Sequence, residues 1–255
     1  MNRKSSILLI EVLSLIVFTV MIFIPRIPQD PAYHLFIDTR TFFGIPNFLN
    51  VITNLPFIII GLAGSIILAK KISSSDSGEK RVNIAYFLFF FSIFLTGFGS
   101  GYYHLSPDNS TIVWDRLPMT MFFMALLSGI FYERMEIKGG LIFLFSLVAF
   151  GILTIIYWHF TELKGQGDLR PYIIVQFYSM ILIPLLLWLF PSRYKRVNDI
   201  WILLLFYGIA KAFEVFDKQI FETLKLISGH SIKHIISAFF FFFLTNSNKL
   251  CFRFI

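Results

Sequence analysis

The chain has 255 residues, of which 56% are hydrophobic and 15% are charged, and its mean hydropathy is +0.75. This composition excludes an ordinary soluble domain and indicates an integral membrane protein. The formal net charge of +7 does not indicate a nucleic-acid partner, because most basic residues lie in short segments between apolar blocks, where they set membrane topology.

Eight apolar blocks are each long enough for a membrane-spanning helix, which needs about 20 residues. The first block follows Met-Asn-Arg-Lys and resembles a signal peptide, but no small-residue cleavage site follows it, so we expect an uncleaved helix. The sequence therefore predicts an all-α, multi-pass integral membrane protein with helices over residues 6–24, 48–69, 83–104, 112–131, 140–159, 171–190, 200–220 and 229–245.

Basic residues between the blocks predict that both termini are cytoplasmic. With the N-terminus inside, thirteen basic residues fall in cytoplasmic segments and six fall in extracytoplasmic segments, as the positive-inside rule requires. The cytoplasmic residues are Arg3, Lys4, Lys70, Lys71, Lys80, Arg81, Arg134, Lys138, Arg193, Lys195, Arg196, Lys249 and Arg253. The extracytoplasmic residues are Arg26, Arg40, Lys164, Arg170, Lys218 and Lys225.

The third block ends with polar side chains at membrane depth. Ser100 and His104 are four residues apart, so their side chains share one face of a helix. Asp115 opens the fourth block after the turn sequence SPDNS, which places it near the same membrane interface. Because an imidazole or a charge at this depth is costly unless it is paired or bound, these residues indicate a functional site.

The last block begins with a second pair of histidines at the same spacing. His230 and His234 lie on the same side of the membrane as His104 in the predicted topology. Three imidazoles at one depth predict one Zn²⁺ ion, since catalytic zinc takes three protein ligands and keeps a position for a water whose pKa falls to about 7. Asp115 would then act as a base and Ser100 as a donor to a developing oxyanion.

Each of these residues also has a simpler interpretation. Two interfacial histidines can hydrogen-bond without a metal ion, and Ser100 can be a small residue that lets helices pack closely. Asp115 can pair with Arg116 or cap its own helix.

Charged residues in and after the seventh block are spaced three or four apart, which favours mutual ion pairs. They are Lys211, Glu214, Asp217 and Lys218. An alternative is that Asp217 or Glu222 orients a ligand histidine through its second ring nitrogen. His34 and His159 lack partners at a useful spacing, and we expect them at the membrane interface.

Three motifs together carry a family resemblance. They are GSGYYH, which ends at His104, then DRLP, which begins eleven residues later, and GHSIKH before the last helix. This combination resembles the alkaline ceramidases, a family within a superfamily of seven-helix membrane hydrolases that includes the progestin and adipoQ receptors. The resemblance extends to PNFLNVITNLPF and FDKQIFETL, and it spans residues 38–245.

The resemblance implies a fold, a reaction and a set of roles. It implies a seven-transmembrane-helix bundle over residues 29–255, preceded by one extra N-terminal transmembrane helix over residues 1–28. The implied reaction is hydrolysis of ceramide or a ceramide-like membrane lipid to a sphingoid base and a fatty acid. The implied zinc ligands are His104, His230 and His234, and the implied catalytic residues are Ser100 and Asp115.

The sequence departs from the animal enzymes at their N-terminal calcium site. That site is built from several carboxylates, whereas here Asp38 is the sole carboxylate in the corresponding stretch and Asn47 stands where a glutamate is expected. Because calcium needs several oxygen ligands, we expect calcium to have little effect on this protein.

Two other classes of function were compared with the same residues. A receptor-like or lipid-sensing protein of the progestin and adipoQ receptor type would bind metal and ligand at this site with little turnover. An intramembrane serine protease would need a GxSG motif with glycine at position 98, where the chain has Phe98. No feature of the sequence indicates an oligomeric state.

Overall fold

Helices make up most of the computed structural model, which describes residues 2–135, 137, 139–192 and 197–246. No strand occurs in these ranges, where the only β-type pairing is an isolated bridge between Phe42 and Ile45. The α-helices are α1 Arg3–Phe23, α2 Phe48–Ile52, α3 Leu55–Ser74, α4 Ser77–Leu105, α5 Ile112–Arg134, α6 Gly140–Leu163, α7 Arg170–Ile173, α8 Ser179–Leu189, α9 Val197–Val215, α10 Asp217–Leu224 and α11 Gly229–Asn246. A 3-10 helix spans Pro31–His34, and a π-helical turn, Ile174–Tyr178, joins α7 to α8.

Each of the eight predicted blocks contains helix, and within the described ranges five of these segments are long and apolar enough to cross a membrane. The five are Arg3–Phe23, Phe48–Ser74, Ser77–Leu105, Gly140–Leu163 and Arg170–Leu189. The protein is therefore a membrane-embedded, all-helical chain that crosses the bilayer several times. The other three helices, α5, α9 and α11, carry charged side chains among their apolar residues, and the full count of seven spans plus one stays a prediction.

The orientation of the termini also stays a prediction. Lys138, Arg193, Lys195, Arg196, Lys249 and Arg253 contribute to the predicted excess of cytoplasmic charge, and they lie outside the described residues.

Six helices close into a ring. Going round it, α3 packs against α4, α4 against α5, α5 against α8, α8 against α9, α9 against α11, and α11 against α3. Phenylalanine fills much of the interior, where Phe89 stacks on Phe122 at 4.8 Å between ring centroids and meets Phe241 edge-on at 5.8 Å. Helix α6 lies outside the ring against α5 and α7.

Helix α1 lies at the periphery of this bundle. Only Ser6 is buried along its length, so most of its apolar surface faces outward, as a lipid-exposed helix requires. The Ser14 hydroxyl and the Tyr178 hydroxyl are 2.6 Å apart. At the C-terminal end of α1, the Arg170 guanidinium donates to the carbonyls of Met21, Ile22 and Ile24, which lack helical partners of their own.

Helices α4 and α5 approach each other most closely at a glycine. A Cβ atom at Gly99 would lie 2.0 Å from the Trp114 carbonyl oxygen, which is a contact that no side chain allows. Gly99 therefore brings the backbone that carries Ser100 against the backbone that carries Asp115. Gly101, two residues later, has no atom within 4 Å of its Cβ position.

We predict that Gly99→Ala forces α4 and α5 apart and lowers the free energy of unfolding by about 1–3 kcal/mol, the usual cost of overpacking. Thermal unfolding of the purified protein in detergent measures this loss. Gly101→Ala is the matched control and should be neutral or slightly stabilising, because alanine is the better helix former. Equal stability of the two variants would contradict the close approach at Gly99.

Candidate metal centre

The structure brings the three predicted histidines together. His104 lies in the last turn of α4, while His230 and His234 occupy the first two turns of α11, which packs beside α3. The three side chains are buried, and one ring nitrogen from each lies within 4.8 Å of the other two. The Nε2 atoms of His104 and His230 are 3.3 Å apart.

These atoms fit a metal ion with a preference for imidazole nitrogen. Three neutral imidazoles around one point form a ligand set that zinc commonly takes in catalytic sites. The His104 Nδ1 atom is buried and has no hydrogen-bond partner among the described residues, so hydrogen bonding alone does not satisfy this ring. The arrangement can therefore hold a metal ion through the nitrogens that face the common point.

Thr53 fixes the orientation of one of these rings. The Thr53 hydroxyl donates its single hydrogen to the Leu49 carbonyl at 2.7 Å. Its oxygen lies 3.0 Å from His234 Nδ1 and must accept a hydrogen there, because the hydroxyl has no second hydrogen to donate. His234 is thereby held as the Nδ1–H tautomer, which leaves the lone pair on Nε2 free for a ligand bond.

Asp115 and Ser100 lie on the same interior cavity as the histidines. Ser100 is buried one turn before His104 on α4, and Asp115 faces the same cavity from α5. The simpler interpretation, in which Asp115 pairs with Arg116, does not account for the position of Arg116. Its guanidinium donates to Gln29 Oε1 at 2.6 Å and stacks 4.8 Å above the Trp158 ring.

The cavity has an apolar part and a polar part. It contains about 850 Å³ of atom-free space, part of which is open to the outside. Its apolar lining includes Phe57, Ile93, Met119, Phe122, Phe123 and Phe241. Its polar lining includes Tyr33, Gln176, Tyr207, Lys211, Glu214 and Lys233, together with the histidines, Ser100 and Asp115.

The segment between α1 and α2 covers the histidines. The Phe36 ring lies 4.7 Å from the His104 ring and 4.8 Å from the His230 ring, measured between centroids. His34 has partners that its sequence spacing did not indicate, since its ring nitrogens lie 2.9 Å from the Tyr103 hydroxyl and 2.8 Å from Asn109 Oδ1; its position at the membrane interface stays a prediction. These contacts tie the segment down over the cluster.

The suggested acidic partners for a ligand histidine act elsewhere. Asp217 accepts a hydrogen bond from the backbone N–H of His230 at 2.7 Å. It therefore caps the N-terminus of α11 and does not orient the His230 imidazole. Glu222 is exposed and pairs with Lys218 at 3.8 Å. Thr53 instead contacts the second ring nitrogen of a ligand histidine. The sequence did not indicate this role, because Thr53 is uncharged and stands out only by its place near an asparagine-rich helix start.

Asp38 is fully engaged by Arg40. The guanidinium donates from Nε to Oδ1 and from Nη2 to Oδ2, each at 2.7 Å, and Nη2 also donates to the Leu226 carbonyl at 2.6 Å. Asn47 donates to the His104 carbonyl at 2.9 Å. The small effect of calcium stays a prediction, and the pairing of both Asp38 oxygens with Arg40 gives a physical reason for it.

Fold and site together define a class of protein: a multi-pass helical membrane protein with a buried histidine cluster on the wall of an amphiphilic cavity. A family model described as Ceramidase matches residues 42–247. Because this match covers most of the chain, the protein belongs to the ceramidase family. No match was found among curated proteins.

We predict that Thr53→Val weakens zinc binding about 10–100-fold, the usual effect of removing a partner that orients a ligand histidine. Competition with a chelator on purified protein measures the affinity directly. Thr53→Ser keeps the hydroxyl and should retain most of it. Thr120→Val serves as the matched control, because Thr120 is also buried and its hydroxyl donates to the Leu117 carbonyl. If Thr53→Val bound zinc as tightly as the wild type, another group would have to fix the His234 tautomer.

Proposed function

We propose that the protein is a zinc-dependent intramembrane amidase that hydrolyses ceramide or a ceramide-like lipid to a sphingoid base and a fatty acid. One observation carries this proposal: three buried histidines lie on one cavity with Ser100 and Asp115, and the same cavity has a phenylalanine-rich apolar part. Membership of the ceramidase family supports an amide of this lipid class as the bond that is cleaved.

The cavity suits an amphiphilic substrate. Its phenylalanine, isoleucine and methionine side chains would bury the acyl chains, since such contacts replace those with the surrounding lipid. The histidines, Ser100 and Asp115 would then meet the polar amide region.

His104, His230 and His234 would hold the zinc ion through the nitrogens that face their common point. A bound zinc ion would polarise the amide carbonyl and lower the pKa of a water molecule. Asp115 would accept the proton of the attacking water at a carboxylate oxygen and return it to the leaving amine. The Ser100 hydroxyl would donate to the carbonyl oxygen, which gains negative charge in the transition state.

We predict that Ser100→Ala and Asp115→Asn each retain zinc but lose about 100-fold or more of the turnover, the scale for one oxyanion donor or one general base. His230→Ala should lose most of the metal as well as the activity, because two nitrogen ligands hold zinc poorly. Metal analysis of purified protein and release of fatty acid from ceramide are the two measurements.

Zinc-loaded wild type that cleaves no lipid amide would favour the receptor-like alternative, in which the same site binds a ligand with little turnover. Full activity in both Ser100→Ala and Asp115→Asn would overturn the assigned roles while leaving the metal site in place. About one zinc per chain is expected for the wild type.

We further propose that residues 1–28 form an extra transmembrane helix before a seven-helix core over residues 29–255, with both termini cytoplasmic. The peripheral position of α1 supports the separation, and the excess of basic residues supports the orientation. Reporter fusions at each terminus should give the cytoplasmic signal. An extracytoplasmic C-terminus would mean that one predicted helix does not span or that α1 is removed.

A further inference from the structure

Two lysines share one glutamate on the wall of the cavity. Glu214 Oε2 lies 2.5 Å from the ammonium of Lys211, and Glu214 Oε1 lies 2.5 Å from the ammonium of Lys233. Lys211 and Glu214 belong to α9, while Lys233 lies on α11 directly before His234. All three side chains line the same cavity as the histidines.

This group carries one more positive charge than it neutralises. Glu214 is the only acceptor that either ammonium has among the described residues, and the group therefore has a net charge of about +1. Lys233 and Glu214 are each 18% exposed and Lys211 is 36% exposed, so water solvates the surplus only in part. Asp115 is the other carboxylate on this cavity, but it forms no ion pair with either lysine among the described residues. The surplus charge therefore has no direct partner there, which is costly at this depth.

A purely structural role, in which an ion pair joins α9 to α11, would not need both lysines. The pair of Glu214 with Lys233 already joins the two helices with matched charge. Lys211 adds a second ammonium on the same helix as Glu214, where it contributes charge and donors but no further link between helices. Each ammonium has three N–H donors and uses one on Glu214, so further donors remain for a ligand.

We propose that Lys211 and Lys233 form a subsite for an oxyanion, a carboxylate or a phosphate, on the polar head of the lipid substrate. This inference rests on the proposed function and narrows its ceramide-like lipids to those that carry an anionic group on the polar head. The fatty acid is a less suitable occupant, because its carboxylate arises at the histidines, where the amide carbon reacts.

The preference for a charged head group provides the first test. We expect wild-type kcat/KM for ceramide 1-phosphate to exceed that for ceramide by about tenfold, the scale of charge-assisted hydrogen bonds. Lys211→Met removes the surplus charge and leaves the Glu214–Lys233 pair, so the ratio of anionic to neutral kcat/KM should fall towards one. Lys218→Met is the matched control, since Lys218 is 69% exposed and pairs with Glu222 on α10.

A binding measurement on metal-free protein tests the same lysines without catalysis. Decyl phosphate should raise the melting temperature by a few degrees relative to decyl maltoside, because a ligand of the folded state stabilises it. Lys211→Met should lose most of this difference, and Lys218→Met should keep it.

The outcomes separate this inference from the proposed function. If no lipid amide is cleaved, the proposed function fails, while the decyl phosphate measurement still decides whether the lysines bind an oxyanion. A wild type that prefers neutral ceramide, or an anionic preference that survives Lys211→Met, would overturn the subsite. Inhibition by free fatty acid that depends on Lys211, without any preference for a charged head group, would also overturn it.

Discussion

Polar side chains inside this bundle must find their partners within the protein, because hydrocarbon offers them none. A polar group without a partner at membrane depth costs several kcal/mol, and this constraint places many of the interior contacts described above. Ser92 shows the simplest case: its buried hydroxyl, in the middle of α4, donates to the Leu88 carbonyl of the same helix at 2.6 Å. The same requirement sets the hydroxyl of Thr53 against His234 and surrounds Glu214 with two ammonium groups.

The parts of the structure that follow from local sequence could be predicted well. Apolar blocks separated by polar turns placed every long helix, because a helix that satisfies its own backbone is the natural way to cross a bilayer. The histidine cluster also followed from sequence, since a four-residue spacing fixes the face of a helix and the topology fixes its depth. The helix face and the membrane depth together were enough to predict that His104 lies near His230, although 126 positions separate them.

The parts that depend on the lateral order of helices could not be predicted. Spacing along one helix indicated the pairing of Lys211 with Glu214, but only the contact of α9 with α11 reveals that Lys233 shares that carboxylate. Thr53 faces His234 because α11 packs beside α2 and α3. No periodicity in the sequences of these helices indicates that contact. The cover provided by Phe36 was missed for a similar reason: its segment has no regular pattern, and its position is fixed by contacts of His34 with α4 and the following turn.

The Phe36 cover has a consequence for how a metal ion held by the histidines would exchange. The Phe36 ring lies against the imidazoles of His104 and His230, so an ion can enter or leave on that side only when the segment lifts away. Such openings are local unfolding events, and their frequency would limit exchange through that side whatever the equilibrium affinity. The histidines also line the cavity, part of which is open to the outside, so the cavity is a second route for an ion. A lipid that fills the cavity would close this second route, and exchange of the ion would then depend on the lifting of the Phe36 segment alone.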